Sequence, residues 1–293
     1  MEIAIISGKG GTGKSSISAA FTSLEKRVVL ADCDVDAANL HLLFTPSREE
    51  ETVYVSGHTA VIDYNVCNNC KLCMEYCRFD AIFLKEDVVT IDSISCDGCK
   101  LCYRVCPESA IEMVESNDSR MYAGTFRYGK MVYGRLAPGE ENSGKLVNLV
   151  REKARNIAEK EGIEKIIIDG PPGIGCSAIS SVTGVNTVAV VTEPTLSGLH
   201  DLKRALQMTS IFDLDRWVII NKYDLNNSLS DKIESYCQQN GIKLAGKLPF
   251  DPILVEAMVK GQSVIEYSPE SEISKRLSAI YVEISADNLL RKP

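Results

Sequence analysis

Eight of the eleven cysteines follow one spacing pattern that occurs twice in the chain. The two copies consist of Cys67, Cys70, Cys73 and Cys77, and of Cys96, Cys99, Cys102 and Cys106. Thiolates at this spacing are the ligand pattern of a cubane [4Fe-4S] cluster, which stores and releases single electrons. Neighbouring residues repeat at the same offset of 29, since Lys71-Leu72 matches Lys100-Leu101. We therefore expect an internal duplication that binds two clusters.

This segment resembles the bacterial two-cluster ferredoxins, in which the fourth cysteine of each run binds the cluster of the other run. The resemblance implies two ligand sets, which are Cys67, Cys70, Cys73 and Cys106, and Cys77, Cys96, Cys99 and Cys102. The two halves would be interlocked, so neither should fold alone. One departure is Arg78, which stands where the second run has Pro107. Because that position is not a ligand, we expect it to adjust a turn or a potential without loss of a cluster.

Zinc and disulfide bonds are the alternative uses of so many cysteines. Structural zinc is usually bound by two cysteine pairs separated by a longer loop. Disulfides are typical of small secreted proteins, and no stretch here reads as a signal peptide or a transmembrane segment. The pattern therefore favours iron–sulfur clusters in a reducing, cytoplasmic environment.

A second motif near the start of the chain fits the phosphate-loop pattern G-x-x-x-x-G-K-[ST]. It follows an apolar strand at Ile3–Ile6 and precedes a helix that we expect to begin near Ser15. Backbone N–H groups of such a loop bind phosphate oxygens, while Lys14 should reach the terminal phosphates and Ser15 should bind Mg²⁺. The predicted nucleotide-binding residues here are Gly8, Lys9, Gly10, Gly11, Thr12, Gly13, Lys14, Ser15 and Ser16.

With Lys9 in place, the loop resembles the deviant phosphate loop of the family that includes MinD, ParA, Mrp and the nitrogenase iron protein. In that family the extra lysine crosses a homodimer interface to the ATP of the partner, which gives Lys9 a catalytic role beside Lys14. The resemblance extends over most of the chain outside the cysteine segment. The whole arrangement resembles MinD-superfamily ATPases with an inserted ferredoxin domain. A solvent-facing lysine is the alternative for Lys9.

Aspartates directly follow two further predicted strands, Val28–Ala31 and Lys165–Ile168. The resemblance implies that Asp32 contacts Mg²⁺, that Asp34 orients the attacking water, and that Asp169 belongs to the Mg²⁺ shell. Helix capping is the alternative for Asp32 and Asp34. Cys176, seven residues after Asp169, matches a bridging-cluster ligand of the nitrogenase iron protein, but residues 138–146 lack the second cysteine such a cluster needs.

The base of the nucleotide is expected at Asn221-Lys222-Tyr223-Asp224, after a strand at Trp217–Ile220. In the family, the residue at the Asn221 position hydrogen-bonds adenine. The tetrapeptide also resembles the guanine-reading motif of GTPases, and the rest of the family pattern favours ATP. Pro249 and Asp251 belong to a loop that closes over the base in relatives, and a simple turn is the alternative.

The elements that must position these residues alternate between apolar strands and helical segments. Continuous apolar runs predict strands at Ile3–Ile6, Val28–Ala31, Lys165–Ile168, Val188–Val191, Trp217–Ile220 and Leu244–Leu248. A helical period over Leu146–Ala158 predicts a helix that stops near Gly162. This alternation predicts an α/β, doubly wound, mostly parallel sheet, which the resemblance assigns to the SIMIBI class of P-loop NTPases. We expect the ATPase domain in two parts, 1–55 and 121–293, around a small α+β ferredoxin domain at 56–120.

The composition limits which kinds of partner the protein is expected to bind. The formal net charge of -8 argues against nucleic-acid binding. The carboxyl-terminal stretch from Ser271 to Lys292 has a short apolar face, so we expect a packed helix and no stable membrane anchoring.

The motifs together favour a dimeric ATP switch, a homodimer or a dimer with a paralogue, that acts on a redox or cofactor-assembly partner. The cofactors would be ATP, Mg²⁺ and two [4Fe-4S] clusters, and the work would be electron transfer or assembly of a metal cofactor. Two alternatives stay open. One is a MinD-like positioning ATPase with structural or redox-sensing clusters, and the other is an electron carrier whose phosphate loop regulates docking.

Overall fold

Continuous apolar strands form the centre of the structure, a computed structural model that describes residues 1–140 and 143–286. The strands in these ranges are β1 (Glu2–Ser7), β2 (Val28–Asp32), β3 (Glu50–Tyr54), β4 (Gly57–Ile62), β5 (Ile82–Lys85), β6 (Val88–Ile91), β7 (Ile111–Ser116), β8 (Ser119–Phe126), β9 (Gly129–Arg135), β10 (Ile166–Pro172), β11 (Thr187–Thr192), β12 (Asp215–Asn221) and β13 (Lys243–Leu248). The α-helices are α1 (Lys14–Ser23), α2 (Leu40–Phe44), α3 (Leu72–Glu75), α4 (Leu101–Val105), α5 (Ser143–Glu161), α6 (Cys176–Val182), α7 (Leu196–Thr209), α8 (Asn227–Gln239), α9 (Ile253–Val259), α10 (Val264–Tyr267) and α11 (Glu272–Ala286).

The described chain divides into two compact units. Unit 1 contains Met1–Glu51, Tyr122–Gly134 and the described residues from Ser143 onward. Unit 2 contains Thr52–Met121 and the described part of Arg135–Asn142. The domain boundaries predicted at 55/56 and 120/121 stay a prediction.

A nine-stranded sheet has the order β13-β12-β11-β1-β10-β2-β9-β8-β3. Its seven strands from β13 to β9 pair in parallel. The six strands predicted from apolar runs all lie among these seven, which confirms the α/β, mostly parallel fold. Neither the hairpin of β8 and β9 nor the edge strand β3 was predicted. β3 is the edge strand of the sheet, and its residues 50–53 are exposed.

Helices cover both faces of the sheet. Successive side chains of a strand point to opposite faces, and in β1 Ile5 packs in the same core cluster as Phe21 of α1 and Leu277 of α11. Ile6 faces the other way, since a Cβ on Gly170 would lie between Ile6 and Ser181 of α6. The predicted helix over Leu146–Ala158 is confirmed as part of α5.

The last helix, α11, buries Ile273, Leu277, Ile280 and Ile284, as expected for a packed helix. The remainder of the predicted helix, residues 287–292, lies outside the described residues. Within the described part of the chain, no helix combines the length and the apolar character that crossing a bilayer requires.

Unit 2 repeats one pattern. β4 pairs antiparallel with β7, and β5 pairs antiparallel with β6. The short helices α3 and α4 each follow a lysine with a left-handed backbone, Lys71 (φ 67°) and Lys100 (φ 65°), at the predicted offset of 29. Its small core combines aliphatic side chains with Cys73. The structural repeat therefore follows the repeat in the sequence.

A substitution in the central strand β10 tests whether the buried core around the sheet stabilises unit 1. Ile167 is fully buried in β10, so Ile167→Ala should lower the free energy of unfolding by about 2–5 kcal/mol through lost burial and a residual cavity. Trp217, the single tryptophan, lies in β12 and reports on unit 1 alone in a urea titration followed by fluorescence. Val282→Ala is the control, because Val282 is 65% exposed on α11. Equal midpoints for the two variants would contradict this assignment of the core.

Candidate nucleotide and cysteine sites

The phosphate loop connects β1 to α1 with a backbone that requires glycine. Gly11 (φ 80°) and Gly13 (φ 86°) both adopt left-handed conformations. A Cβ on Gly13 would lie 2.4 Å from Asn221 Nδ2, and one on Gly8 would lie 2.5 Å from Asp201 Cβ. These close contacts fix the loop between β12 and α7.

Lys14 occupies the centre of the site and is only 6% exposed. Its Nζ lies 3.2 Å from Asp169 Oδ1 and 3.7 Å from Asp34 Oδ2. Burial alone lowers the pKa of Lys14, but Asp169 and Asp34 outweigh burial and raise it above its ordinary value. The lysine is therefore held in its charged form.

Asp169 also accepts two hydrogen bonds from α1. Ser15 Oγ donates to Oδ2 at 2.7 Å, and Ser18 Oγ donates to Oδ1 at 2.7 Å. Ser18 was not predicted, although its place one helical turn after Lys14 puts it on the same face of α1. The structure thus brings together the predicted residues Lys14, Ser15, Asp34 and Asp169.

Asp32 stands beside Asp169 on the neighbouring strand, since the two are in register between β2 and β10. Asp32 is fully buried, and its Oδ2 accepts hydrogen bonds from the backbone N–H groups of Asn39 at 3.2 Å and Leu40 at 3.1 Å. Burial, reinforced by Asp169, raises the pKa of Asp32 to about 8. Burial likewise raises the pKa of Asp34, against the opposing effect of Lys14.

The carboxylates do not form a complete cage for a cation. Across residues 1–140 and 143–286, no three His, Cys, Asp or Glu side chains are arranged to hold one metal ion. Mg²⁺ commonly takes only one or two protein carboxylates and fills its shell with water and phosphate oxygens. Ser15, Asp32 and Asp169 are therefore compatible with Mg²⁺ that arrives with a nucleotide.

On the base side, Asn221 is 2% exposed and braces the phosphate loop. Its Nδ2 donates to the Thr12 carbonyl at 2.8 Å, and its Oδ1 accepts from the Lys222 N–H at 3.0 Å. Asp224 Oδ1 accepts from the Phe250 N–H at 2.7 Å, which ties the predicted base loop to β12. The described contacts of Asn221 are thus with the loop, and base recognition by Asn221 stays a prediction.

Two further members of the base loop were predicted from the sequence. Asp251 Oδ1 accepts from the N–H of Ile253, the first residue of α9, at 3.0 Å. Pro249 directly follows β13, at the carboxyl edge where nucleotides bind to such sheets. Their predicted contact with the base is not tested by these positions.

Lys9 and Lys222 meet at a residue that sequence reasoning missed. Lys9 Nζ lies 3.6 Å from Glu193 Oε2, and Lys222 Nζ lies 2.6 Å from Glu193 Oε1. Glu193 directly follows Thr192, the last residue of β11. Since β11 is the neighbour of β1, a carboxylate at its carboxyl end was a detectable signal.

In unit 2 the eight patterned cysteines surround two small cavities. One cavity is lined by Cys67, Cys70, Cys73 and Cys106, and the other by Cys77, Cys96, Cys99 and Cys102. The first is otherwise lined by aliphatic side chains such as Ile62, Val89 and Ile111. Backbone N–H groups of Ala60 and Ala110 donate to the sulfurs of Cys96 at 3.5 Å and Cys106 at 3.3 Å.

Burial makes two of the cavity thiols harder to ionise. Burial raises the pKa of Cys73, and it raises that of Cys102 to about 11. Thiolates there would need the compensating charge of a metal centre. Of the remaining cysteines, Cys33 and Cys237 are buried and Cys176 is exposed at the start of α6.

The buried carboxylate of Asp32 leads to a prediction on pH. Its pKa is higher in the folded protein than the ordinary 3.8, so the folded state binds the proton more tightly. The resulting stability is present below about pH 4 and is lost as pH rises toward 8. The urea midpoint of wild type should fall between pH 5 and pH 9, as measured by Trp217 fluorescence in the presence of a chelator. In Asp32→Asn this fall should be smaller by about half or more. Asp36→Asn, at an exposed position, should behave as wild type, and an unchanged pH dependence in Asp32→Asn would refute the assignment.

Comparison with known proteins agrees with the geometry of unit 1. Residues 3–264 match the family model described as CobQ/CobB/MinD/ParA nucleotide binding domain. The uncharacterized protein MJ0578 of Methanocaldococcus jannaschii is 39% identical over 234 residues, which are 78% of this chain and 80% of that protein. The iron-sulfur cluster carrier protein of Aquifex aeolicus is 26% identical over 130 residues, 40% of this chain and 36% of that protein.

A solved structure shows the same fold. The septum site-determining protein MinD of Pyrococcus horikoshii, complexed with Mg-ADP, superposes with a TM-score of 0.57 over 99% of this chain and 97% of its own, at 20% identity. The family model covers most of the chain, and it includes the phosphate loop, both carboxylate strands and the base-side strand. The chain belongs to the CobQ/CobB/MinD/ParA family of nucleotide-binding proteins.

Proposed function

We propose that this protein is a Mg²⁺-dependent ATPase switch that carries two [4Fe-4S] clusters. Two copies, or one copy and a paralogue, would associate around ATP, and the cycle would drive electron transfer or cofactor assembly on a protein partner. One observation carries the proposal. The chain whose phosphate loop sets Lys14 against Asp34 and Asp169 also surrounds two cavities with four cysteines each.

The contacts of unit 1 support ATP hydrolysis. Lys14 bridges two carboxylates, and phosphate oxygens would take their place as its partners once a nucleotide occupies the loop. Mg²⁺, held by Ser15 and Asp169 with Asp32 near it, would supply Lewis-acid stabilisation of the phosphates. Asp34 is 15% exposed and its pKa is raised by burial, which suits a group that orients water or accepts its proton. Lys9 would serve the partner's nucleotide.

The cysteine cavities support iron–sulfur clusters more than zinc. Tetrahedral zinc needs its ligands gathered around one ion, whereas no such group of three occurs among the described residues. A cubane carries four iron atoms and accepts one thiolate at each iron, so four cysteine sulfurs around a shared cavity suit it. When bound, the clusters would supply one-electron storage. The relative named as an iron-sulfur cluster carrier gives limited support for assembly work, because it matches only 40% of this chain.

The remaining parts of the proposal rest on the sequence. Residues 56–120 would form the inserted ferredoxin domain, and the reducing cytoplasm would keep its thiols available. A MinD-like positioning role is the second candidate, favoured by the structural similarity to MinD. Electron transfer that requires hydrolysable ATP would favour the first role, whereas localisation in cells that follows the nucleotide would favour the second.

Substitutions of Lys14 and Lys9 should have different effects, the first on ATP hydrolysis and the second on dimerisation. Lys14→Ala removes the charge that binds the phosphates, so ATP turnover should fall at least about a hundredfold. Lys9→Ala should abolish ATP-dependent dimerisation, measured by sedimentation velocity, while each single copy still binds nucleotide. Both variants should keep the visible absorbance of the clusters. Persistent turnover in Lys14→Ala would exclude this loop as the hydrolytic site.

The two cluster sets can be tested with a matched pair of exposed cysteines. Cys99→Ala should lower iron and acid-labile sulfide from about eight to about four atoms per chain in anaerobically purified protein, because one ligand set is broken. Cys176→Ala should leave the content unchanged. Zinc without sulfide in the wild type would overturn the cluster proposal, and an equal loss in Cys176→Ala would instead give Cys176 a ligand role.

A further inference from the structure

Glu193 places one carboxylate between two lysines of the nucleotide site. Its side chain is 14% exposed, with Oε2 3.6 Å from Lys9 Nζ and Oε1 2.6 Å from Lys222 Nζ. β11 leads to this position, and because Val191 is in register with Ser7 of β1, the residues after both strands lie side by side. Glu193 is thus fixed next to the phosphate loop by the sheet itself.

The ammonium group of Lys9 contacts the segment that directly follows β11. Besides Glu193, Nζ donates to Thr195 Oγ1 at 3.3 Å and to Ser197 Oγ at 3.2 Å. A lysine ammonium has three N–H donors, of which two are used by Thr195 and Ser197, and Glu193 adds a charged partner at 3.6 Å. Lys9 is therefore retained by its own subunit and is not simply extended into solvent.

The segment that carries these acceptors has little freedom to move. A Cβ on Gly198 would lie 2.3 Å from the Glu193 carbonyl, and one on Gly8 would lie 2.5 Å from Asp201 Cβ. Thr195 caps α7, because its Oγ1 accepts from the Gly198 N–H at 2.9 Å. The acceptors are fixed, so Lys9 is the member of the cluster that can leave.

We infer that Glu193, Thr195 and Ser197 form an intramolecular latch that holds Lys9 and sets the protein concentration at which ATP joins two copies. This inference rests on the proposed role of Lys9 at the partner's nucleotide. Lys9 cannot contact the latch and a nucleotide in a second copy together, so association must exchange one set of contacts for the other. The latch contacts exist only in the separate subunits, so they stabilise the separate subunits relative to the dimer. A contact made in one of two states shifts the association equilibrium toward that state.

Lys222 connects the latch to the nucleotide itself. Its Nζ donates to the Gly11 carbonyl at 3.3 Å as well as to Glu193. A nucleotide that rearranges the phosphate loop at Gly11 therefore changes a partner of Glu193. Glu193 acts as a positioning residue between the base side of the site and Lys9.

The test compares Glu193→Gln with wild type in sedimentation velocity, with Mg²⁺ and the slowly hydrolysed analogue ATPγS. Loss of the carboxylate charge should lower the dissociation constant of the dimer about fivefold. Ser197→Ala, which removes an exposed contact of Lys9 and leaves Lys222 untouched, should lower it about twofold. Glu193→Asp should restore most of the wild-type value. ADP affinity of the separate Ser197→Ala subunits should change less than about twofold, because the phosphate loop and Lys222 keep their contacts.

Glu161→Gln is the matched control, because Glu161 also bridges two cations, Arg27 at 3.3 Å and Lys130 at 3.5 Å. It should leave the dissociation constant unchanged. Adding Lys9→Ala to Glu193→Gln should abolish the gain, as expected if the latch acts only through Lys9. The latch would be overturned if Glu193→Gln and Ser197→Ala both dimerise no more tightly than wild type.

The same experiment separates the latch from the proposed function. If wild-type protein does not associate with ATPγS, or if Lys9→Ala associates as well as wild type, the proposed role of Lys9 fails. If Lys9→Ala abolishes association while the Glu193 and Ser197 variants match wild type, the proposed function stands and only the latch is wrong.

Discussion

Unit 1 depends on the placement of one buried ammonium among three carboxylates. Lys14 faces Asp169 and Asp34 directly, and Asp32 stands in register with Asp169 on the next strand. Burying like charges is costly unless they are paired or neutralised. One lysine faces three carboxylates, and burial, reinforced by Asp169, raises the pKa of Asp32 to about 8. That imbalance gives a physical reason for the site to favour a nucleotide that brings its own divalent cation.

The sequence predicted what periodicity and spacing encode. Apolar runs of four or five residues predicted the six parallel strands. The glycines of the phosphate loop predicted the turn between β1 and α1. Contacts between distant segments were harder. The role of Asn221 as a brace for Thr12 depends on how close β12 comes to the phosphate loop, and local sequence does not contain that distance. The β8–β9 hairpin was missed for a different reason, since Gly124, Gly129 and Gly134 interrupt its strands and leave no run of four consecutive apolar residues.

Unit 2 shows how a repeat in sequence becomes a repeat in geometry. The left-handed lysines at 71 and 100 start α3 and α4 in equivalent places, so each run presents its three closely spaced cysteines in the same way. Each cavity receives its fourth cysteine from the other run. The stability of each half therefore depends on its counterpart, and an isolated half would lack both a ligand and part of the small core around Cys73.

The phosphate loop is a common partner of several groups at the nucleotide site. Asn221 holds the Thr12 carbonyl and Lys222 holds the Gly11 carbonyl, while Lys14 and Ser15 reach Asp169 from the other end of the loop. Lys9 belongs to the same loop but bonds outward, to Glu193 and the start of α7. A change in loop conformation must therefore alter the base side, the carboxylate cluster and Lys9 together. Packed elements of this kind switch between discrete arrangements and do not deform gradually, which is the property that an ATP-driven switch requires.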